Sequence, residues 1–171
     1  MLKIFKNIKT FVFDLDGVLT DGNVLLMQDG TMLRQTNVKD SYALQLAIKK
    51  SYNIIIISGS YSAEAETRLK NLGIKKVFMQ VSDKLQTIAD IITAEKLNKE
   101  EILYMGDDIP DYEVMQYCGL AACPADAVAE IKAISEYVSP LKGGHGCVRD
   151  VIEKVLKLQN KWMPDIHIPT A

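Results

Sequence analysis

A short apolar run that ends in acids and glycine sets the strongest limit on how this 171-residue chain can fold. Residues 10–13, Thr-Phe-Val-Phe, are β-branched or aromatic and predict a buried strand. Asp14, Asp16 and Gly17 follow, and a strand with such an end predicts a site at the carboxyl edge of an α/β sheet. Two carboxylates on one face repel each other unless a cation lies between them, and Mg²⁺ prefers oxygen ligands. An acidic, solvated turn is the alternative.

Two later apolar runs also lead directly into polar residues or glycine. The isoleucine run at residues 54–57 lacks alternation, which is typical of a strand buried on both faces of a parallel sheet. It leads into Ser58, whose hydroxyl can donate to a phosphate oxygen, although a serine-capped turn has the same residues. The apolar run at residues 102–105, after Glu101, leads into Gly106 and Asp107, and glycine lets the backbone approach a ligand closely.

Helical patterns alternate with these strands and predict an α/β fold with a mostly parallel, Rossmann-like sheet flanked by helices. We expect a single domain over residues 1–171, with no linker, no internal repeat and an irregular tail from about residue 163. Asp40 is predicted to cap the first long helix. The predicted helices cover about residues 41–50, 62–72, 84–96, 113–117, 126–132 and 148–162.

A β-hairpin is predicted over about residues 23–36, because Asp29-Gly30 separates two apolar runs. Its leucines pack either on their own domain or against another subunit, since a monomer rarely exposes such a surface.

Lys84 lies in the predicted first turn of a helix that Ser82 or Asp83 caps. The positive end of a helix disfavours a cation, so Lys84 needs an anionic partner. A surface lysine is the alternative.

Composition excludes several classes of protein. Hydrophobic residues make up 48% and charged residues 25% of the chain, and the net charge is −2. These values are typical of a globular protein, and no basic block indicates nucleic-acid or membrane binding. The start is too short and interrupted for a signal peptide, and no apolar run approaches the ~20 residues of a membrane span. The three cysteines lack CxxC spacing and predict free thiols in the cytoplasm.

Four motifs carry a family resemblance. Residues 14–22, Asp-Leu-Asp-Gly-Val-Leu-Thr-Asp-Gly, resemble the first motif of the haloacid dehalogenase superfamily. The closer resemblance is to its capless, tetrameric subgroup of 3-deoxy-D-manno-octulosonate 8-phosphate (KDO-8-phosphate) phosphatases. Ser58, Lys84 and residues 106–111, Gly-Asp-Asp-Ile-Pro-Asp, resemble the second, third and fourth motifs, in the same order. Residues 143–149 resemble the glycine-rich loop of the subgroup.

One position departs from the subgroup. Residues 58–60 are Ser-Gly-Ser, where many members have Thr-Gly-Arg. Ser60 removes a planar cation that suits a carboxylate or a phosphate, so the resemblance leaves the sugar acid open.

The resemblance implies a role for each motif residue. Asp14 is implied to be the nucleophile that forms an aspartyl phosphate, and Asp16 the general acid and base. Mg²⁺ is implied as the cofactor, held by Asp14, the main-chain oxygen of Asp16, and Asp107. Ser58 and Lys84 complete the catalytic set. Asp108 and Asp111 are expected to orient the ligands and Lys84. Contacts with substrate are expected from Thr20, Asp40, Ser58, Gly59, Lys84 and Arg149.

The implied reaction is the hydrolysis of KDO-8-phosphate, and a nine-carbon sugar acid phosphate is the alternative substrate. A receiver domain is another alternative, because it is also phosphorylated on an aspartate, but its acids and lysine come in a different order along the chain. A scaffold without catalysis is the remaining alternative. The gaps between the motifs are too short for a cap domain, so we expect a homotetramer with shared active sites as the assembly that closes over substrate.

Overall fold

Parallel strands form the central sheet, as the alternation of strands and helices predicts. The computed structural model describes residues 2–163, 165, 167 and 168. Within these residues the strands are β1 Thr10–Phe13, β2 Leu25–Leu26, β3 Met32–Leu33, β4 Asn53–Ile57, β5 Lys76–Phe78, β6 Ile102–Met105, β7 Leu120–Cys123 and β8 Tyr137–Val138. The helices are α1 Leu2–Phe5, α2 Val38–Lys49, α3 Ala63–Asn71, α4 Lys84–Glu95, α5 Tyr112–Tyr117, α6 Ala129–Ile134 and α7 Cys147–Leu158.

Strand β1 lies inside the sheet, whose order is β5-β4-β1-β6-β7-β8 with every pair parallel. Phe13, the last residue of β1, lies opposite Ile56 of β4 and Met105 of β6. After β5 the chain crosses to the other side of β1 and enters β6. Ligands bind at such a reversal in open α/β sheets, outside the carboxyl ends of the strands.

Helices cover both faces of the sheet, so β1 is buried throughout. Phe11 and Phe13 point to the face covered by α1, α2, α3 and α7. Val12 points to the opposite face, where α4, α5 and α6 pack. This alternation follows from the two-residue period of a strand, and it explains why the buried strands read as continuous apolar runs.

Three predicted helix boundaries are wrong. Asn37, not Asp40, caps α2: the Asn37 side chain accepts a hydrogen bond from the backbone of Lys39 at 2.8 Å, and Asp40 lies in the first turn. Helix α6 begins at Ala129 rather than at Asp126, because the Asp126 carboxylate accepts from the backbone of Gly143 at 2.9 Å instead. Helix α7 ends at Leu158 instead of Trp162. The predicted cap of α4, Asp83, is confirmed.

The predicted hairpin is confirmed, and it stands apart from the main sheet. Strands β2 and β3 pair antiparallel with each other. The side chains of Leu25 and Leu26 are 62% and 72% exposed. Within the described ranges no segment forms a cap domain, and no helix there is long and apolar enough to cross a membrane.

The tail runs back along α2 where the structure describes it. The backbone N–H of Asp165 donates to the Tyr42 hydroxyl at 3.0 Å, and Ile168 joins the hydrophobic core. The rest of the predicted tail, Pro164, Ile166 and residues 169–171, lies outside the described residues.

Candidate active site

One open pocket of about 310 Å³ lies at the carboxyl ends of β1, β4 and β6 and the start of α4. The matched ends of these strands bring together residues that are far apart in sequence. Eight of the predicted site residues line it: Asp14, Asp16, Ser58, Gly59, Lys84, Asp107, Asp108 and Asp111.

A buried lysine links two carboxylates at the floor of this pocket. The Lys84 ammonium lies 3.0 Å from Asp14 and 2.7 Å from Asp111, and its side chain is only 6% exposed. Lys84 is therefore not a surface lysine, and its carboxylate partners explain how a cation is tolerated in the first turn of α4. Burial, and after it the charge of Asp111, raises the pKa of Asp14 to about 7, while Lys84 opposes this shift.

Asp111 holds this arrangement in place. Its Oδ1 accepts from Lys84 and from the Tyr104 hydroxyl, each at 2.7 Å. Its Oδ2 accepts from the backbone of Asp107 at 3.2 Å. Both oxygens are occupied, so Asp111 is placed to orient its neighbours.

A divalent cation fits between Asp14 and Asp107. Oxygens of Asp14, Asp107 and Asp111 lie within 4.8 Å of one another. Burial, and then the charges of Asp14 and Asp111, raise the pKa of Asp107 to about 7, so Lys84 alone does not offset the charge of these crowded carboxylates. A side chain at Gly17 would meet the Asp107 carboxylate, since a Cβ there would lie 2.0 Å from Oδ2. The donor set consists of hard oxygens, which suits Mg²⁺.

Asp16 is held by three side chains. Arg34 donates to both of its oxygens, from Nε at 2.8 Å and from a terminal nitrogen at 3.1 Å. The Ser60 hydroxyl donates to it at 2.7 Å and that of Thr20 at 3.2 Å. Burial favours a higher pKa for Asp16, but the hydrogen bonds from Arg34 and Ser60 outweigh it and hold the pKa below its usual value.

Two other predicted residues shape the loops around the pocket. Thr20 is fully buried, and its hydroxyl accepts from the backbone of Gly17 and of Gly22, each at 3.3 Å. Thr20 thus does not line the pocket, and it positions Asp16 through a hydrogen bond. Asp108 accepts from the backbone of Ile109 at 2.8 Å, so its carboxylate caps the next turn while it also lines the pocket.

Asp40 and Arg149 do not line this pocket. Asp40 is buried beneath the glycine-rich loop, where it accepts from the backbone of Arg149 at 2.6 Å. The Arg149 guanidinium lies over the rings of Tyr42 and Trp162, 5.7 and 5.6 Å from their centroids. It faces a separate groove of about 770 Å³ along α7. Their predicted contact with substrate stays a prediction.

The glycine-rich loop packs tightly on the backbone that follows β1. A Cβ at Gly143 would lie 1.9 Å from the carbonyl oxygen of Gly17, and one at Gly144 would lie 2.5 Å from the backbone nitrogen of Asp21. These glycines are required by this close approach. His145 is exposed on the loop, as expected.

Two residues of the site were not expected from the sequence. Tyr104 lies within β6 and reads as an ordinary core residue. Arg34 follows an exposed strand of the hairpin, and nothing in its local sequence connects it with Asp16 across 18 residues. Ser60 gave an indirect indication of such a residue, because it stands where many members of the subgroup have Arg, and the site therefore lacks a cation at this position.

Comparison with known proteins gives a consistent result. Residues 76–150 match the model of a family described as haloacid dehalogenase-like hydrolases. This segment contains Lys84 and Asp107 and begins after Asp14 and Asp16.

Similarity over nearly the whole chain is found to phosphatases of KDO-8-phosphate. The chain is 34% identical to that of Yersinia pestis over 155 residues, which covers 91% of this chain and 83% of that protein. The crystal structure of the Yersinia pestis phosphatase has a TM-score of 0.91 at 32% identity, covering 94% and 86% of the two chains. The structure from Moraxella catarrhalis, in complex with magnesium, phosphate and KDO, has a TM-score of 0.91 at 31% identity, covering 94% and 92%.

Proposed function

Because the chain belongs to the KDO-8-phosphate phosphatase family of haloacid dehalogenase-like hydrolases, we propose that it is a Mg²⁺-dependent phosphatase that releases phosphate from KDO-8-phosphate. One observation carries the reaction type. Asp14 is buried against Lys84 and faces Asp107 across a gap that Gly17 leaves open. A nucleophile, a fixed positive charge and an oxygen-lined cation site thus meet at one point.

The chemistry divides hydrolysis into two displacements at Asp14. A carboxylate oxygen of Asp14 attacks phosphorus and forms an aspartyl phosphate. In the substrate complex Asp16 is protonated, and it donates this proton to the leaving alkoxide. Asp16 then removes a proton from the water that cleaves the aspartyl phosphate.

Fixed charges support both displacements. Lys84 at 3.0 Å favours the ionised form of Asp14, and Asp111 keeps Lys84 in place. Mg²⁺, when bound by Asp14, Asp107 and the main-chain oxygen of Asp16, supplies positive charge to the phosphoryl group. The Ser58 hydroxyl and the backbone at Gly59 line the side of the pocket where phosphoryl oxygens are expected.

The named relatives support the eight-carbon substrate over a nine-carbon sugar acid phosphate. The phosphatases of Yersinia pestis and Moraxella catarrhalis are both named for KDO-8-phosphate, and the Moraxella structure contains KDO.

The active protein is, in this proposal, a homotetramer in the cytoplasm. The exposed apolar hairpin supports assembly, since Leu25, Leu26, Met27, Met32 and Leu33 are each 43% or more exposed. The open pocket supports the sharing of sites, because a neighbouring subunit would supply the cover that a cap domain gives in other enzymes. The three buried free cysteines accord with a reducing compartment.

Phosphate release from a panel of phosphorylated sugar acids tests the function. We expect turnover of KDO-8-phosphate with Mg²⁺, at a higher kcat/KM than for nine-carbon analogues, and loss of turnover in EDTA that added Mg²⁺ reverses. Asp14→Asn should abolish turnover without unfolding the protein, because the amide is nearly isosteric but a poor nucleophile. Activity in metal-free buffer, or in folded Asp14→Asn protein, would contradict the mechanism.

A further inference from the structure

The side chain of Arg34 is buried although the residue belongs to an exposed element. Its neighbours on the hairpin, Met32 and Leu33, are 45% and 43% exposed, whereas the Arg34 side chain is only 5% exposed. The side chain leaves the hairpin and contacts Asp16 and Ser60, which both line the pocket. Burying a guanidinium is costly unless its hydrogen bonds are made, so this placement needs a reason.

Only part of the guanidinium is satisfied. One terminal nitrogen donates to Asp16 and contacts the Ser60 hydroxyl at 3.3 Å, and Nε donates to Asp16. The other terminal nitrogen, Nη1, is buried and has no hydrogen-bond partner in the described part of the chain. A buried donor without an acceptor typically costs about 1–3 kcal/mol, and such a group in a native site calls for an acceptor that arrives later.

One of the hydrogen bonds to the Asp16 carboxylate must also be broken during the reaction. Each oxygen of Asp16 already accepts two hydrogen bonds, from Arg34 and Thr20 on one side and from Arg34 and Ser60 on the other. A general acid must direct one oxygen at the leaving group, within hydrogen-bond distance. One of these donors therefore has to leave before transfer, and Arg34 is the donor that also has a buried nitrogen without an acceptor in the described part of the chain.

We propose that Arg34 is a substrate-binding residue, whose guanidinium exchanges the Asp16 carboxylate for anionic oxygens of the bound substrate. This proposal rests on the proposed function, in which the substrate carries a carboxylate and a phosphate. The planar, five-donor guanidinium suits either group, because both present paired oxygens. The small side chain of Ser60 leaves space beside Asp16, so the hairpin supplies the cation that residue 60 lacks.

The exchange also couples substrate binding to chemistry. While the pocket is empty, Arg34 donates hydrogen bonds to both oxygens of Asp16. When a substrate anion takes the guanidinium, Nη1 gains its acceptor and an oxygen of Asp16 becomes free to face the leaving group. Thr20 continues to hold the other oxygen.

Binding of the two separate products to Arg34→Gln and Arg34→Lys tests the proposal. Calorimetry with Mg²⁺ would give dissociation constants for KDO, which carries the carboxylate, and for inorganic phosphate. We expect one of them to rise about 10- to 100-fold in Arg34→Gln, the loss of a charge-assisted bidentate contact, and less in Arg34→Lys. The compound whose binding is weakened, KDO or phosphate, identifies the group of the substrate that Arg34 binds. Gln35→Ala, a change at the neighbouring exposed residue, is the control and should leave both constants unchanged.

Kinetics separates this role from a merely structural one. With KDO-8-phosphate, Arg34→Gln should raise KM; with p-nitrophenyl phosphate, KM should rise only if Arg34 binds the phosphoryl group. Folded variants with both dissociation constants within twofold of wild type would overturn the proposal, even if kcat falls. If Arg34→Gln fails to fold, unchanged constants in Arg34→Lys overturn it equally. Should wild type hydrolyse the aryl phosphate but not KDO-8-phosphate, the proposed substrate fails. Arg34 then keeps its role only if Arg34→Gln raises the dissociation constant for phosphate, and an unchanged constant overturns the proposal.

Discussion

At the scale of single residues, burial determines what an ion pair contributes. Lys84 lies between two carboxylates and is 6% exposed, whereas Lys70 is 56% exposed in its pair with Glu66 on α3. Exposed pairs contribute little because water and salt screen them. Removing one member of a buried pair leaves an uncompensated charge in a dry environment.

Lys84→Met should therefore destabilise the protein by roughly 3–5 kcal/mol at neutral pH without metal, because Asp14 and Asp111 lose their shared cation. The control, Lys70→Met, should cost less than about 1 kcal/mol. Urea unfolding of both variants measures the difference. Equal effects on the two free energies of unfolding would show that the Lys84 pairs contribute no more than a surface pair.

Asp40 has a different consequence at this scale, since one of its buried oxygens has no hydrogen-bond partner among the described residues. Burial raises its pKa from 3.8 to about 6, partly opposed by hydrogen bonds from the backbone of Arg149 and Gly146. A carboxyl group whose pKa is raised by folding stabilises the protein while it is protonated. That contribution is lost as pH rises through about 6.

Asp40→Asn should accordingly gain stability relative to wild type as pH rises from 5 to 8, by about 1 kcal/mol. The amide cannot ionise, so it avoids the cost that Asp40 incurs at high pH. Urea unfolding of both proteins at the two pH values gives the difference. A difference that stays constant between pH 5 and 8, or that shifts in favour of wild type as pH rises, would contradict a raised pKa for Asp40.

At the scale of elements, the turn after β1 decides whether the acids of two strands can meet. The chain reverses within a few residues of Phe13, and Gly17 adopts φ +85° with the Asp107 carboxylate directly against it. Gly30, at the tip of the hairpin, has nearly the same φ of +86° but no atom within 4 Å of a Cβ. An alanine at either position would have the same backbone strain, but only an alanine at position 17 would also clash with a neighbouring side chain.

Gly17→Ala should greatly weaken Mg²⁺ binding and abolish most phosphatase activity, because the methyl group would displace the Asp107 carboxylate. Gly30→Ala carries a similar backbone cost of about 1 kcal/mol but should keep both properties. Titration calorimetry with Mg²⁺ and a phosphate-release assay measure them. If the two variants behave alike, the contact between Gly17 and Asp107 is not important for the metal site.

At the scale of the whole molecule, the hairpin is the least buried apolar part of the described chain. Leu25 pairs with Leu33 across the hairpin and Leu26 with Met32, so each face carries large apolar side chains. A monomer rarely leaves such a surface in water, and closed symmetric assemblies bury it.

Replacing both Leu25 and Met27 with Asp should therefore break the proposed tetramer, because charges would have to be buried at the interface. The double change at Val24 and Leu26 tests the other face, and Gln28→Asp in the polar turn is the control that should stay assembled. Light scattering gives the molecular mass. The kcat/KM for sugar acid phosphates should fall more than that for p-nitrophenyl phosphate, which needs no neighbour. A fully active wild-type monomer would contradict the proposed assembly.

Local sequence determined the elements and most of the pocket. The apolar runs specified β1, β4 and β6, because a strand buried on both faces consists mostly of apolar residues. The residue types after each run then predicted the acids and the serine that line the pocket. The Asp-Gly pair specified the hairpin, because few residue pairs allow so tight a turn.

Only the tertiary structure decided which groups pair with one another. Lys84 reaches Asp14 and Asp111 because α4 starts beside the ends of β1 and β6, a relation that sequence spacing does not contain. Asp40 was expected to cap a helix and instead lies beneath the glycine-rich loop, since α2 and α7 pack together there. Arg34 reaches Asp16 because the hairpin folds over the pocket. Patterns of apolar residues encode burial within each element, whereas contacts between polar side chains depend on how the elements pack.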